Sequence, residues 1–444
     1  MTEHGGPQSL QMTPKSLLLK CTLLVLALQA CSQSQQVTAV ASERVELPSQ
    51  IAVRTGADQL EKFLPLLQGK RVAITGNQTS VVQSHGTTLA LTPDRQFDKP
   101  GMLNQPEGNS ARYVHLIDTL RSRGVNVVKA FAPEHGFRGT ANAGEKVADG
   151  VDQKTGIPIL SLYGSNKKPD SSQLEGIEVM VFDIQDVGVR FYTYISTLHY
   201  MMEACGTAGI PIIVLDRPNP NGHYTAGPIL KPEHRSFVGM HPVPVAHGMS
   251  IGEYAQMIKG ESWTSAGTNI DLTVIPVMGW SRADAYHLPI PPSPNLPNDR
   301  AINLYPSLCF FEGTVVSAGR GTDTQFQVYG DPKLPPSLYP YSFTPVKNAG
   351  AKYPKHENQA CYGEDLRDDT ALSELNFWYI QNAYKEYKGD QSKFFIPFLE
   401  KLTGDSNIRE ILKSDSDATK AIQRYAQQDL EAFKKMRVPY LLYE

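Results

Sequence analysis

Four short apolar runs mark the first half of the chain, and each ends in polar residues: Arg71–Thr75, Val125–Phe131, Val179–Asp183 and Ile212–Asp216. Continuous runs of this kind suit strands buried on both faces of a parallel sheet. Helical patterns lie between them, over Tyr113–Arg123 and Tyr192–Ala208. The second places Tyr194, Leu198, Met201, Met202 and Cys205 near one face, and Gly206 closes it. This alternation predicts an α/β fold, a Rossmann-like doubly wound parallel sheet. No GxGxxG or Walker-A sequence follows any of the runs, so nothing here argues for a nucleotide. A helix is expected over Ile251–Ile258. The proline-rich stretch Leu288–Pro297 can form neither helix nor central strand and must be a stiff, extended loop. Beyond it the pattern mixes strands with helical segments near 366–388 and 414–436. The division this suggests is a Rossmann-like domain over 51–263 and a smaller α/β domain over 264–444.

The N-terminus breaks from this pattern. Lys15 and Lys20 supply positive charge at the N-terminal side of an apolar run, Leu17–Leu28, too short for a mature membrane span but suited to a signal peptide. Cys31 directly after Leu-Gln-Ala resembles a bacterial lipobox, in which cleavage leaves a lipidated cysteine; the alternative is a plain secretory signal. Residues 1–31 then form the leader and 32–50, rich in Gln, Ser and Val, a tether. Export to the periplasm is expected, and Ser32 favours anchoring at the outer membrane. With 42 Lys and Arg against 45 Asp and Glu, a net charge of -3, there is no basic footprint for nucleic acid. Beyond Cys21 and Cys31, only Cys205, Cys309 and Cys361 remain, without CxxC spacing or a paired framework. Each reads as a small buried side chain, and a disulfide within the trio stays open. No cofactor is implied.

In open α/β sheets ligands bind beyond the carboxyl ends of the strands. The segments there are Asn77–Ser80, Pro133–Gly136, Asp183–Asp186 and Asp216–Asn219. They bring Asn77, Glu134, His135, Asp183, Asp186 and Arg217 to one edge. The loop Phe131-Ala-Pro-Glu-His-Gly-Phe-Arg-Gly139 stands out, because proline stiffens it and glycines allow close approach. Three readings of Glu134 remain open on residues alone: a structural carboxylate paired with Arg138, a metal ligand beside His135, or a catalytic acid or base. Candidates for a second carboxylate are Asp183, Asp186, Glu253, Glu312 and Asp323, since glycoside cleavage commonly uses a pair. Glu312 sits in an apolar run where a lone charge is costly, and Arg320, between two glycines, is its natural partner. Glu253 most simply caps a helix, and Asp183 and Asp216 orient loops. Of the histidines, His135 and His247 are weighted as substrate contacts over His85 and His199. Tyr192 and Tyr194, beside Arg190, either stack on a ring or pack.

The loop around Glu134 resembles the exo-acting β-N-acetylmuramidase family of glycoside hydrolases. So do Phe182–Tyr194, Leu215–Gly222, Pro242–Gly248, Tyr305–Gly313 and Ser317–Thr322, in order over roughly 55–444. The resemblance implies a cleft between a Rossmann-like domain and a smaller C-terminal domain. It also implies removal of terminal N-acetylmuramic acid from the non-reducing end of peptidoglycan fragments. By resemblance Glu134 and Glu312 fall on the catalytic positions, Glu134 protonating the leaving oxygen. The second group is either Glu312 or the substrate's own acetamide. Arg190, Arg217 or Arg320 would hold the lactyl carboxylate, with Asn77, His135, Arg138, Asp183, Asp186, Tyr192 and His247 as further contacts. The polar stretch 83–111 is longer than the family pattern leads one to expect. Two alternatives are another wall-fragment hydrolase, an amidase or esterase, and a non-catalytic lipid-anchored peptidoglycan-binding protein. The first lacks a GxSxG elbow, a zinc-type histidine cluster and an evident catalytic cysteine.

Overall fold

The computed structural model describes residues 52–83, 113–134, 136–138, 149–164 and 166–444. The leader, Cys31, the tether, His85, most of the 83–111 stretch and His135 lie outside the described residues.

The first half alternates as its apolar runs predict. Helix α1 (Leu60–Leu67) leads into β1 (Arg71–Gly76), followed by β2 (Val81–Gln83), β3 (Tyr113–His115), α2 (Leu116–Ser122), β4 (Asn126–Ala132), β5 (Gly150–Val151) and β6 (Pro158–Ser161). Then come α3 (Ser171–Leu174), β7 (Val179–Asp183), α4 (Tyr194–Ala208), β8 (Ile212–Leu215), α5 (Ile251–Gly260) and β9 (Leu272–Ile275). Seven strands form one sheet in the order β5-β6-β4-β1-β7-β8-β9. All neighbours run parallel except β5 against β6. Setting β5 aside, the chain order reads 3-2-1-4-5-6, the doubly wound arrangement whose switch point lies between β1 and β7.

The period of two along each strand divides the side chains between two faces. Val72, Ile74, Val179, Val181, Ile213 and Leu215 pack with Phe63, Leu67, Leu116 and Leu120 of α1 and α2. Ala73, Met180, Phe182, Ile212 and Val214 face the other way, onto Leu198, Met201 and Met202 of α4 and Tyr254, Met257 and Ile258 of α5. That second core continues without interruption into the C-terminal half, through Phe310, Phe311, Phe377, Phe394 and Leu399.

The C-terminal half carries α6 (Asp299–Leu308), a small antiparallel sheet of β10 (Val328–Asp331), β11 (Tyr341–Phe343) and β12 (Cys361–Asp365), then α7 (Trp378–Glu386), α8 (Phe398–Thr403), α9 (Asn407–Ser414) and α10 (Ala418–Arg437). Two sequence expectations are corrected here. The helix expected over Tyr113–Arg123 begins only at Leu116, because Tyr113–His115 pairs with Val81–Gln83 and the His115 ring then accepts from the Ile117 N–H, capping α2. Only the end of the 366–388 stretch is helical. Strand β9 also belongs to the large sheet, so that sheet runs past residue 263. Cys205, Cys309 and Cys361 are buried free thiols.

The chain closes by returning to the first half. The Tyr443 hydroxyl donates to the Asp216 carboxylate and accepts from the Val277 N–H at 2.8 Å, while the Leu442 N–H donates to Glu253 at 2.6 Å. Glu253 caps α5 with Ser250, as its position predicts, and also pairs with Arg282.

Candidate active site

The loops at the switch point are laced together. Asn77 Oδ1 accepts from the Thr79 N–H and hydroxyl at 2.9 and 2.6 Å, and the Thr79 hydroxyl accepts from the Gln185 N–H at 3.0 Å. Ser80 Oγ donates to the Asp183 carbonyl. Behind this turn Arg217 grips Asp183 through two bonds of 2.6 and 2.9 Å and reaches the Val81 carbonyl at 2.9 Å. Asp186 accepts from the Gly188 N–H at 2.7 Å and lies 3.8 Å from His247 Nε2. Burial pushes the Asp186 carboxyl up to about 7 and the His247 imidazole down to about 3. Arg190 donates to the carbonyls of Pro228, Val243 and Leu402 at 2.6–2.9 Å. Asn77, Asp183, Asp186, Arg190, Arg217 and His247 are all at most 3 % exposed, which makes them the floor under the site rather than its walls.

Glu134 stands higher. It follows β4 by two residues, and its loop is staked at the far end. Gly136, at φ 78°, turns the chain in a conformation that favours glycine. Phe137 is buried against the His115 ring, centroids 4.8 Å apart. Arg138 is committed to Asp152 at 2.6 and 2.8 Å and to Asp118 at 3.0 and 3.3 Å. A rigid support of this kind fixes a half-buried carboxylate at a strand end. Tyr163, just beyond β6, hydrogen-bonds Glu134, and burial followed by that negative charge raises its phenol. Tyr194 feels Glu134 too, after burial.

The C-terminal half carries the second candidate carboxylate. Glu312 sits in a 3-10 turn (Cys309–Gly313) after α6, and Arg320 Nη1 donates to it at 2.7 Å. Arg320 Nη2 reaches the Gly350 carbonyl at 3.3 Å, and its buried Nε donates to no group among the described residues. The positive charge of Arg320 also bears on Tyr163. The proline-rich loop closes one side. The Pro292 carbonyl accepts from the Tyr192 hydroxyl at 2.9 Å, the Tyr194 hydroxyl at 3.3 Å and Gln78 Nε2 at 3.1 Å. Tyr192 and Tyr194 meet edge to face at 4.9 Å, so both pack into this junction.

Two carboxylates, one beside a phenol and one beside a guanidinium, are groups suited to acid–base work on a glycosidic bond. Asp323 is exposed. Among the described residues no group of three or more His, Cys, Asp or Glu side chains is placed to hold a metal ion. Tyr163 was not legible in the sequence: a tyrosine in Ser-Leu-Tyr-Gly carries no signal except its place after a strand.

Comparison with known proteins gives a consistent result. Residues 101–300 match the family described as exo-β-N-acetylmuramidase NamZ, N-terminal, and residues 303–443 match its C-terminal counterpart. A peptidoglycan β-N-acetylmuramidase NamZ of Bacillus subtilis (strain 168) is 37% identical over 416 residues, covering 88% of this chain and 91% of the Bacillus protein. Two crystal structures of DUF1343 family proteins from Bacteroides fragilis NCTC 9343 share the fold. One is 40% identical with a TM-score of 0.74, covering 89% of this chain and 99% of its own. The other is 26% identical with a TM-score of 0.67, covering 90% and 100%.

Proposed function

The chain belongs to the exo-β-N-acetylmuramidase NamZ family and is a glycoside hydrolase, and from that premise we propose that Glu134 is its general acid and Glu312 its second catalytic carboxylate. The substrate is peptidoglycan-derived, and the bond cut is the one that releases terminal N-acetylmuramic acid from the non-reducing end. The observation that supports the assignment is Tyr163, which hydrogen-bonds Glu134 and feels the charge of Arg320, the partner of Glu312. Glu134 donates a proton to the leaving oxygen. Glu312 acts on the other side of the sugar, as nucleophile or as base toward water. The partly exposed guanidinium of Arg320 suits the lactyl carboxylate that distinguishes muramic acid from glucosamine. Arg190 and Arg217 are buried, whereas the Arg320 side chain is partly exposed, so Arg320 is the guanidinium we assign to substrate.

A chromogenic β-N-acetylmuramide tests this. Glu134→Gln should lower kcat by about two to four orders of magnitude, with the fold intact by circular dichroism. Undiminished turnover would remove Glu134 from its role. Trapping the first-formed anomer by NMR distinguishes Glu312 as nucleophile, with retention, from Glu312 as base, with inversion.

We further propose export and lipidation at Cys31, supported by the charged and apolar leader that precedes it. Radiolabelled palmitate should enter the wild type and not Cys31→Ser; equal labelling of both overturns the anchor.

A further inference from the structure

Lys355, in the loop between β11 and β12, reaches into the turn that carries Glu312. Its ammonium donates to the carbonyls of Phe311 at 2.8 Å, Thr314 at 2.6 Å and Val316 at 3.2 Å, with the Glu312 carbonyl at 3.5 Å. Three donors are all that an ammonium has. The next residue, His356, bonds the Val315 carbonyl at 2.8 Å, so consecutive side chains grip the backbone from 311 to 316. The Lys355 loop is itself fastened to the Arg320 segment. The Val346 N–H donates to the Gly321 carbonyl at 2.8 Å, Asn348 Nδ2 to Thr322 at 3.1 Å, and Arg320 to Gly350. Burying an ammonium is costly, and a neutral donor would serve to tie down carbonyls. A charge here therefore calls for a reason, and Glu312 is the strongest negative influence upon it.

We propose that Lys355 is a positioning residue for the hydrolytic reaction: it fixes the backbone on both sides of Glu312 and, with Arg320, sets positive charge beside that carboxylate. This rests on the reading of Glu312 as the second catalytic group. The charged and titratable groups facing the ammonium are Glu312 and Cys309 from the turn, Arg320 from the glycine loop, Asp331 from the end of β10 and His356 beside it. Burial pushes the Cys309 thiol far up, so it stays neutral. Burial also pushes Lys355 down to about 8. In mildly alkaline solution the ammonium therefore loses its charge and one donor, and Glu312 loses its support.

The test is the pH profile of kcat on a chromogenic β-N-acetylmuramide, for the full-length wild type, Lys355→Met, Lys355→Cys and Glu312→Gln. The wild type should show an alkaline limb near the value at which Lys355 titrates. Lys355→Met should lose about tenfold or more in kcat with KM changed less than about twofold, and the limb should vanish. Aminoethylation of Lys355→Cys rebuilds an ammonium whose neighbouring sulfur makes it more acidic; it should restore most of kcat and move the limb to lower pH. The described native cysteines are buried and shielded from the reagent. A purely structural lysine would lower the melting temperature in Lys355→Met and leave the profile unmoved, which overturns the proposal. An unshifted limb after aminoethylation overturns it as well, even where Lys355→Met does not fold. Glu312→Gln with full turnover overturns the reading of Glu312 instead.

Discussion

Asp186 and His247 face each other at 3.8 Å without water access, and burial moves their affinities for protons in opposite senses. An aspartate in the unfolded chain ionises near pH ~3.9, whereas in the fold Asp186 does so at about 7. Between these values the native state binds more protons, so this group's contribution to stability is full below about pH 4 and is lost as pH rises toward 7. The amount at stake is on the order of 4 kcal/mol. Asp186→Asn keeps the acceptor for Gly188 and has no charge to bury. Urea unfolding at a series of pH values should show the variant gaining on the wild type from pH 4 to 8; parallel curves would refute the assignment. Arg190 and Arg217 carry a related lesson. In sequence both looked like clamps for an anion. A guanidinium that reaches substrate and one that reaches buried carbonyls or a buried carboxylate are the same letter, and only burial separates them. The same blindness hid Lys355, whose setting in Lys-Tyr-Pro-Lys-His reads as a solvated charged loop.

Among the elements, legibility followed burial on both faces. Strand β7, every residue of which is buried, was read to its ends as Val179–Asp183, and β8 to within one residue. Strands β10 to β12 were not placed, because they are short and carry Gly330, Gly363 and several charges. Gly363 explains how they nonetheless pair. A Cβ there would stand 1.6 Å from the Tyr329 carbonyl oxygen on β10, so only glycine lets the two strands approach. Tyr329 in turn stacks on Phe311, centroids 4.6 Å apart, next to Glu312. Gly363→Ala should cost more than about 3 kcal/mol and lower muramidase activity with it. A variant of unchanged melting temperature would show that the strands can separate without consequence. The Pro133–Arg138 loop was legible in its composition but not in its anchoring, since Asp118 and Asp152 lie in other segments.

At the scale of the molecule, the two halves share one continuous core, and the last residues seal the first sheet. Tyr443 stacks edge to face on Trp280 at 5.0 Å while its hydroxyl serves Asp216, whose carboxyl burial raises to about 6. Leu442 and Tyr443 also supply N–H donors to the fully buried Glu253. Removing residues 442–444 should therefore lower the melting temperature of the whole protein in a single transition, rather than releasing the C-terminal half alone. A separate early transition confined to that half would refute this coupling. The returning tail also sets a schedule for synthesis. The nine strands described in the first half leave the ribosome long before residues 442 and 443, yet Asp216 and Glu253 gain their last donors only when those residues arrive. A nascent chain arrested at residue 300 should accordingly remain sensitive to protease, with its sheet assembled only once translation has passed the final tyrosine.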